Sequence, residues 1–404
     1  MDFQSCQQVI AKNISTLGSE RVSLETALSR VTASVHQAIV PQPEFRQSLR
    51  DGYVIGDADT AAGTSVTLPV SGMIQAGRIA PPSLRPGTAA RIMTGGMVPE
   101  GGRRVIPQED CLETADTIEI PVAVLRQTNA FIQEQGCEVA AGVEVVSAGT
   151  LLLPDHISTL AAVGCEEIEV YNRPRVGYLC TGSELVDTPQ ELHPGLKVSS
   201  NRYLLDGLIR QFGAEPAYLG TVHDSADKLA AVIDQLSSER YDLVISTGGM
   251  GPGKYDLIEQ AFVSTGGNVL YNSLAMRPGK ATLCGTLGRT LFFGLPGPPT
   301  AVRALMNSIV GPALLRMQGV ASHYPVTLQA HLAHELVIKR PGVMQLKGAT
   351  LSVNSSRWEV HEASKLQPPS CYLVIPADRA GYDRGELIDI HLASSPFCPA
   401  IGQW

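Results

Sequence analysis

The sequence predicts a multidomain protein built from α/β and β units, and three observations carry that expectation. From Arg175 onward buried strands alternate with amphipathic helices, the pattern of a doubly wound parallel sheet with helices on both faces. Between about residues 46 and 138, short extended runs are broken by Gly and Pro, which indicates a β-rich unit. Beyond Tyr324 only strand-like runs remain, so a small β domain ends the chain. A length of 404 residues accommodates two to four domains at roughly 150 residues each.

Taken in order, Phe3 to Leu17 carries apolar residues at helix spacing, and Ser23 is the expected N-cap of a second helix over SLETALSRVTASV. Strands are expected in TSVTLPVSGMI, TAARIMTG, RVIPQED, DTIEIPVAVL and AFIQEQG. GVEVVSAGTLLLPDHISTLAAVGCEEIEV then reads as strand, turn, helix and strand. It resumes the helical character of the first 45 residues, so the β-rich unit is inserted into a discontinuous, elongated helical segment. In the α/β unit, over 174–320, PRVGYLCTGSEL, EPAYLGTVHD and YDLVISTGGMGPG are strands with polar or glycine-rich ends. NRYLLDGLIRQFG is a helix closed by Gly213, and Ser225 caps SADKLAAVIDQLSSE. ATLCGTLGRTLFFGLPGPP and the helix TAVRALMNSIVGPALLRM complete the unit. PVTLQAHLAHELV, ATLSVNSSRWEV, SCYLVIPA and ELIDIHLA supply the strands of the last domain.

Composition narrows the function. A 44% hydrophobic and 17% charged chain can pack a core, and a net charge of −8 opposes a role in coating nucleic acid. No apolar run approaches the ~18 residues of a membrane-spanning helix, and MDFQSCQQVIAKN lacks the basic-then-apolar layout of a leader. A cytoplasmic protein without nucleic-acid or membrane partners is expected. The cysteines Cys6, Cys111, Cys137, Cys165, Cys180, Cys284, Cys371 and Cys398 form no C-x-x-C pair. They read as small buried hydrophobes of a reduced compartment rather than a zinc or disulfide framework.

In a doubly wound sheet, ligands bind beyond the carboxyl ends of the strands. Three strand ends carry suggestive residues: Thr181-Gly182-Ser183-Glu184, His223-Asp224-Ser225 and Thr247-Gly248-Gly249-Met250-Gly251-Pro252-Gly253. Glycine lets the backbone approach a ligand and turns N–H groups toward an anion. Glu184, Asp224 and Asp256 would bring three hard oxygen donors to one crevice, as Mg²⁺ requires. Each piece also has a plain structural reading: T-G-x-E as a turn, Asp224 as part of a cap, the glycines as a loop. Neither a Walker A pattern nor a G-x-G-x-x-G after the first strand of the sheet is present. Two further stretches follow. Met276-Arg277-Pro278-Gly279-Lys280 sets two cations on a turn, suited to phosphates or simply solvated. Gly294-Leu295-Pro296-Gly297-Pro298-Pro299 is a stiff loop entering a helix, explicable by turn rigidity alone.

Together these residues resemble the MoeA family, the molybdopterin molybdenumtransferases, which are similar to the E domain of gephyrin. The resemblance spans nearly the whole chain. Ser48-Leu49-Arg50-Asp51-Gly52-Tyr53 is similar to S-x-M-D-G-Y-A. Arg91-Ile92-Met93-Thr94-Gly95 with Pro99-Glu100-Gly101 is similar to R-I-M-T-G-A-x-x-P-x-G, and Gln108-Glu109 stands at its Q-E. Thr181-Gly182-Ser183-Glu184-Leu185, the S/T-G-G loop, the K-P-G-K turn and the G-L-P-G-N-P loop fall in the family's order.

The resemblance implies four parts: 1–45 with 139–173 as the elongated segment, 46–138 as the inserted β-rich domain, 174–323 as the molybdopterin-binding α/β domain, and 324–404 as a small barrel-like β domain. It implies a homodimer with a cleft between the α/β domain of one subunit and the inserted domain of the other. The implied reaction takes adenylylated molybdopterin and molybdate with Mg²⁺ and releases AMP and molybdenum cofactor. Molybdopterin adenylyltransferase and molybdoenzyme acceptors are the implied partners. By resemblance, Glu184, Asp224 and Asp256 would hold Mg²⁺ and the phosphoanhydride, and Asp51 and Thr94 would enter from the partner subunit. Arg277 and Lys280 would attract anions. Thr181, Gly182, Ser183, Asn201, Gly248, Gly249, Gly253, Gly279, Pro296 and Gly297 would line the pterin nucleotide.

The chain departs from the family pattern at its site. Arg50 stands where Met is usual, Ser183 where Asp is common, Ser199 at an Asp-type position, Arg277 for Lys and Pro298 for Asn. Lys254 and Glu134 reverse the charge of their family counterparts. A reversed charge beside a divalent site opposes metal binding, by about a few kcal/mol at most at intermediate dielectric. Two alternatives therefore stand beside the transferase: a catalytically impaired paralogue that binds cofactor or scaffolds a partner, and a related enzyme acting on another nucleotide-linked substrate.

Overall fold

The computed structural model describes residues 1–57, 64–77, 81–223, 225–238, 241–250, 257–354, 357–364 and 367–393. The first helix spans Phe3–Lys12 and starts where the Asp2 carboxylate accepts from the Ser5 N–H at 2.8 Å. It stops short of the expected Leu17, because Asn13 turns its side-chain amide back to the Val9 carbonyl, 2.8 Å away. The second expected helix shrinks to one turn, Leu24–Ala27. The β-branched residues after it go to bridges instead: Val31 pairs with Leu151, and Thr32 pairs with Val170. Ser19–Ser23, not expected as a strand, runs antiparallel to Glu167–Tyr171. Its first three residues are exposed, so no apolar alternation marks it in the sequence. These pieces and the helix Pro154–Ala162 enclose Ala27, Leu152, Leu160, Ile168 and Val170.

A six-stranded sheet occupies the stretch from Gly52 to Ile120. Its order is Arg104–Pro107, Gly52–Ile55, Ala89–Ile92, Val66–Ile74, Thr117–Ile120 and Leu112–Glu113. Both faces are covered. Tyr53, Ile55, Ile106 and Ile118 pack on one side, and Val54, Ala90, Ile92 and Val105 on the other. Gly52 is squeezed between two strands, and a Cβ there would overlap the Ile106 carbonyl. The run expected to continue as a strand through Val122–Leu125 makes a helical turn instead, because Pro121 cannot extend the ladder. Buried Arg104 closes that turn by donating to the Val124 and Leu125 carbonyls at 2.7 and 2.9 Å.

The α/β sheet has the order Glu215–Val222, Arg175–Thr181, Leu243–Thr247, Thr290–Leu295, Leu283–Leu287 and Asn268–Tyr271. The first four strands are parallel. The Leu283–Leu287/Thr290–Leu295 hairpin then adds two antiparallel pairings at the far edge. Helices cover both faces, with Leu205, Ile209, Phe293 and Leu305 on one side and Ile233, Val244, Ile258 and Phe262 on the other. The last long helix, Pro299–Leu305 continuing to Gly311–Met317, contains a π-turn at Met306–Val310.

Beyond it, Met344–Asn354, Arg357–Glu362, Thr327–Leu332, Leu387–Leu392 and Cys371–Ile375 form a ring. The last strand pairs back with the first, giving a closed five-stranded barrel. Closure leaves no free edge among these strands. Among the described residues, no helix is long and apolar enough to cross a membrane.

Three histidines are held below the ordinary value of 6.5 by burial: His36, His323 and His391. His391 lies in a barrel strand with its Nδ1 buried and unpartnered. A group with a lowered folded pKa stays neutral in the fold while the unfolded chain takes up the proton. Stability is therefore full above 6.5 and falls as the pH drops through that value toward the folded pKa. The melting temperature should decline between about pH 7 and pH 5. His391→Gln should flatten part of that decline in a pH series of thermal melts.

Candidate functional site

The strand Arg175–Thr181 has parallel neighbours on both sides, one reached by each of the two following crossovers. The winding direction reverses there, and the crevice outside the carboxyl ends at such a point is where open α/β sheets bind ligands. Thr181, only 4% exposed, ends this strand. Across from it, Gly248 follows Thr247, and a Cβ on Gly248 would overlap the Thr181 carbonyl. The backbone turns there with φ of +90° at Gly248 and +64° at Gly249, a region open to glycine and strained for other residues. The Gly248 N–H donates to the Leu295 carbonyl at 3.0 Å, joining this turn to the next strand end. Gly297, two residues further, lies beside Gly248: a Cβ on it would stand 3.9 Å from the Gly248 Cα.

Asn201 reaches the same place from the helix Ser200–Gln211, donating to the Gly297 carbonyl at 2.8 Å. Its Oδ1 is buried without a partner, as are the hydroxyls of Thr181, Ser199 and Ser246. Buried polar atoms normally find partners, so the orphaned atoms of Thr181 and Asn201, next to Gly248 and Gly297, are candidates for contact with a polar ligand.

Gly182, Ser183 and Glu184 leave the Thr181 strand end. The Glu184 carboxylate folds back over Gly182, where a Cβ would stand only 2.8 Å from Oε2. Ser183 and Glu184 are exposed. The register places the basic turn at the same edge. Leu283 pairs with Gly294 and Tyr271 with Cys284, so the connection holding Arg277, Gly279 and Lys280 emerges beside Leu295 and Pro296. Arg277 and Lys280 are exposed, and Gly279 is buried against Met276. Asp224, Gly253, Lys254 and Asp256 lie outside the described residues.

Asp51 and Thr94 form a second cluster on the inserted sheet. Both the N–H and the hydroxyl of Thr94 donate to Asp51 Oδ1, at 2.6 and 2.7 Å. These bonds, the backbone one foremost, hold the Asp51 carboxyl below the usual carboxylate range. The corner is pinned from both sides: Ser48 exchanges backbone bonds with Gly95 and Gly96, and the Gln108 N–H donates to the Asp51 carbonyl. Glu134, one of the two charge reversals, forms an ion pair with Arg46 at 2.9 Å.

Sequence reasoning missed a third group at the α/β edge. Asp187 accepts from the hydroxyls of Tyr218 and Thr221, both at 2.6 Å. Burial raises its pKa, but these hydrogen bonds outweigh that and leave it lowered. The Arg202 guanidinium lies 4.5 Å from the centre of the Tyr218 ring. Tyr218 and Thr221, three apart, would face opposite sides of a regular strand. A register shift against Tyr178 and Cys180, with Gly220 at φ +105°, lets both reach Asp187. The bulge has no signature in the sequence beyond that glycine.

The chain matches the MoeA N-terminal region (domain I and II) over residues 1–164 and a probable molybdopterin binding domain over 177–316. A molybdopterin molybdenumtransferase from Nostoc sp. is 34% identical over 335 residues, covering 81% of this chain and 76% of the relative. The chain belongs to the MoeA family. A family member from Staphylococcus epidermidis, also named molybdopterin molybdenumtransferase, is 28% identical across 96% of this chain and 93% of its own. The solved molybdopterin biosynthesis MoeA protein of Pyrococcus horikoshii superposes with a TM-score of 0.83. It is 26% identical, with 97% of this chain and 98% of that one covered.

Gly248→Ala should drive a methyl group into the Thr181 carbonyl. The expected cost is about 1–3 kcal/mol of stability. A lowered melting temperature of the variant in thermal melts checks it.

Proposed function

We propose that this chain is a molybdopterin molybdenumtransferase that inserts molybdate into adenylylated molybdopterin and releases AMP. The observation that carries this reading is the winding reversal, where Thr181 and Asn201 keep unpartnered buried atoms beside Gly248 and Gly297. Family membership supplies the chemistry that such a site serves.

In this reading the pterin nucleotide lies along the carboxyl edge. Gly248, Gly249 and Gly297 allow close backbone contact, Thr181 and Asn201 offer hydrogen bonds, and Gly182, Ser183 and Pro296 shape the rim. Arg277 and Lys280, on the turn formed by Gly279, attract its phosphates. Gly253 is assigned to the same nucleotide site by family resemblance. Glu184, whose carboxylate stands over Gly182, is an oxygen donor suited to Mg²⁺, with Asp224 and Asp256 as its companions. Bound Mg²⁺ supplies charge neutralisation at the phosphoanhydride. Asp51, kept ionised by Thr94, orients the reacting groups from a partner subunit in a homodimer. The four-part division at 1–45 with 139–173, 46–138, 174–323 and 324–404, and a cytoplasmic location, belong to the same proposal. The pairing of Glu134 with Arg46 supports activity over an impaired paralogue, because it neutralises one of the two reversed charges.

The test is AMP release from adenylylated molybdopterin by the purified protein, with Mg²⁺ and molybdate present and with each omitted. Release should require both. Glu184→Gln should reduce it by about 10²-fold or more, and Asp51→Asn should lower turnover while AMP still binds. Nucleotide binding without any release would reject the transferase reading.

A further inference from the structure

Arg50 sits beside Asp51 in the corner closed by Thr94, where the family pattern has an uncharged Met. Its backbone is fixed: the Ser48 hydroxyl, on a residue only 1% exposed, donates to the Arg50 carbonyl at 2.6 Å and accepts from its N–H at 3.3 Å. Its side chain is exposed, and its guanidinium stands 5.9 Å from the centre of the Phe131 ring.

Phe131 is itself unusual. It holds φ at +46°, a left-handed conformation that bulky residues avoid. The surroundings enforce it: Asn129 Oδ1 accepts from the Phe131 N–H at 3.0 Å, and the Phe131 carbonyl accepts from the Leu49 N–H at 2.9 Å. Backbone outliers of this kind cluster at ligand clamps. This one sets an aromatic platform beneath a cation.

The charges around the corner complete the argument. Arg46 pairs with Glu134 at 2.9 Å, Arg91 with Glu113 at 3.4 Å and Arg103 with Asp57 at 3.3 Å. Among the described residues, no ion pair engages Arg50. The adjacent Asp51 directs Oδ1 to the N–H and hydroxyl of Thr94. An ionised Asp51 alone would repel an anion, so an anion that works at this corner needs a cation beside it.

We propose that Arg50, braced on Phe131, is the residue that recruits a tetrahedral dianion to the Asp51–Thr94 corner. Its planar fork matches two oxygens of such an ion, and the aromatic platform limits the side-chain freedom lost on binding. This inference rests on the reading of the site as one that handles oxyanions. The dianion has two possible sources with one chemistry, molybdate or the phosphate of the nucleotide.

The experiment is calorimetric titration of the full-length protein with molybdate and, separately, with AMP. It compares the unchanged protein with Arg50→Met, Arg50→Lys and Phe131→Leu, each checked by thermal melting. Arg50→Met should weaken binding in one arm by about tenfold, the scale of one charge-assisted hydrogen bond. Arg50→Lys should recover part of the loss, and Phe131→Leu should fall between. Raising the salt concentration should weaken binding by the unchanged protein and have a smaller effect on Arg50→Met. Loss in the molybdate arm identifies the metal oxyanion, loss in the AMP arm the phosphate, and loss in both a shared position. Equal affinities for Arg50→Met and the unchanged protein in both arms would overturn the proposal, as would an unchanged protein that binds neither dianion. Because binding is read directly, absence of AMP release in the turnover assay rejects the transferase reading without deciding this one.

Discussion

Gly248 has no room for a side chain against the Thr181 carbonyl, and the geometry of the α/β edge follows from that contact. The two strand ends approach so closely because Cys180 is in register with Thr247 in the parallel ladder. The following residue must turn away at once, with a positive φ that glycine supplies. That turn meets the Leu295 carbonyl and brings Gly297 alongside, and Asn201 secures the loop from a neighbouring helix. The polar atoms left without partners are the complement of this packing. Backbones that lie this close leave Thr181, Ser199, Asn201 and Ser246 shielded from water on the protein side.

The inserted sheet applies the same device for a different purpose. Gly52 allows the strand that starts just after Asp51 to pass between two neighbours without a Cβ, so the carboxylate emerges at a fixed point beside Thr94. Buried apolar residues on both faces make the strands around it a stiff support. The acid of this corner is thereby positioned by backbone close packing rather than by a salt bridge.

Much of this was readable in the residues, for identifiable reasons. Thr181-Gly182 and Thr247-Gly248-Gly249 follow continuous buried strands, and a parallel sheet sends such ends to one edge. The two crossovers on opposite sides of Arg175–Thr181 were not readable, because strand order depends on tertiary packing. Asp187 escaped notice because its partners Tyr218 and Thr221 converge only through a bulge. The exposed strand Ser19–Ser23 lacks apolar alternation, and the segment after Ala27 trades helix spacing for bridges made by Val31 and Thr32. At Glu134 the reversed charge was legible and its partner was not. The sign of a side chain is visible in a sequence, but its neutralisation by Arg46, far away along the chain, is not.

Met276 and Arg277 pair in parallel with Met344 and Gln345, on a strand that belongs to the C-terminal barrel. On its other side the same turn runs into the α/β strands Asn268–Tyr271 and Leu283–Leu287, and it is closed internally by the Ser273 hydroxyl to the Lys280 carbonyl at 2.9 Å and the Thr282 hydroxyl to the Gly279 carbonyl at 2.6 Å. The basic turn is thus held by two bodies, and the barrel strand helps fix where the positive charge of Arg277 stands. The barrel, remote from the glycine edge in sequence, becomes part of what sets the local field.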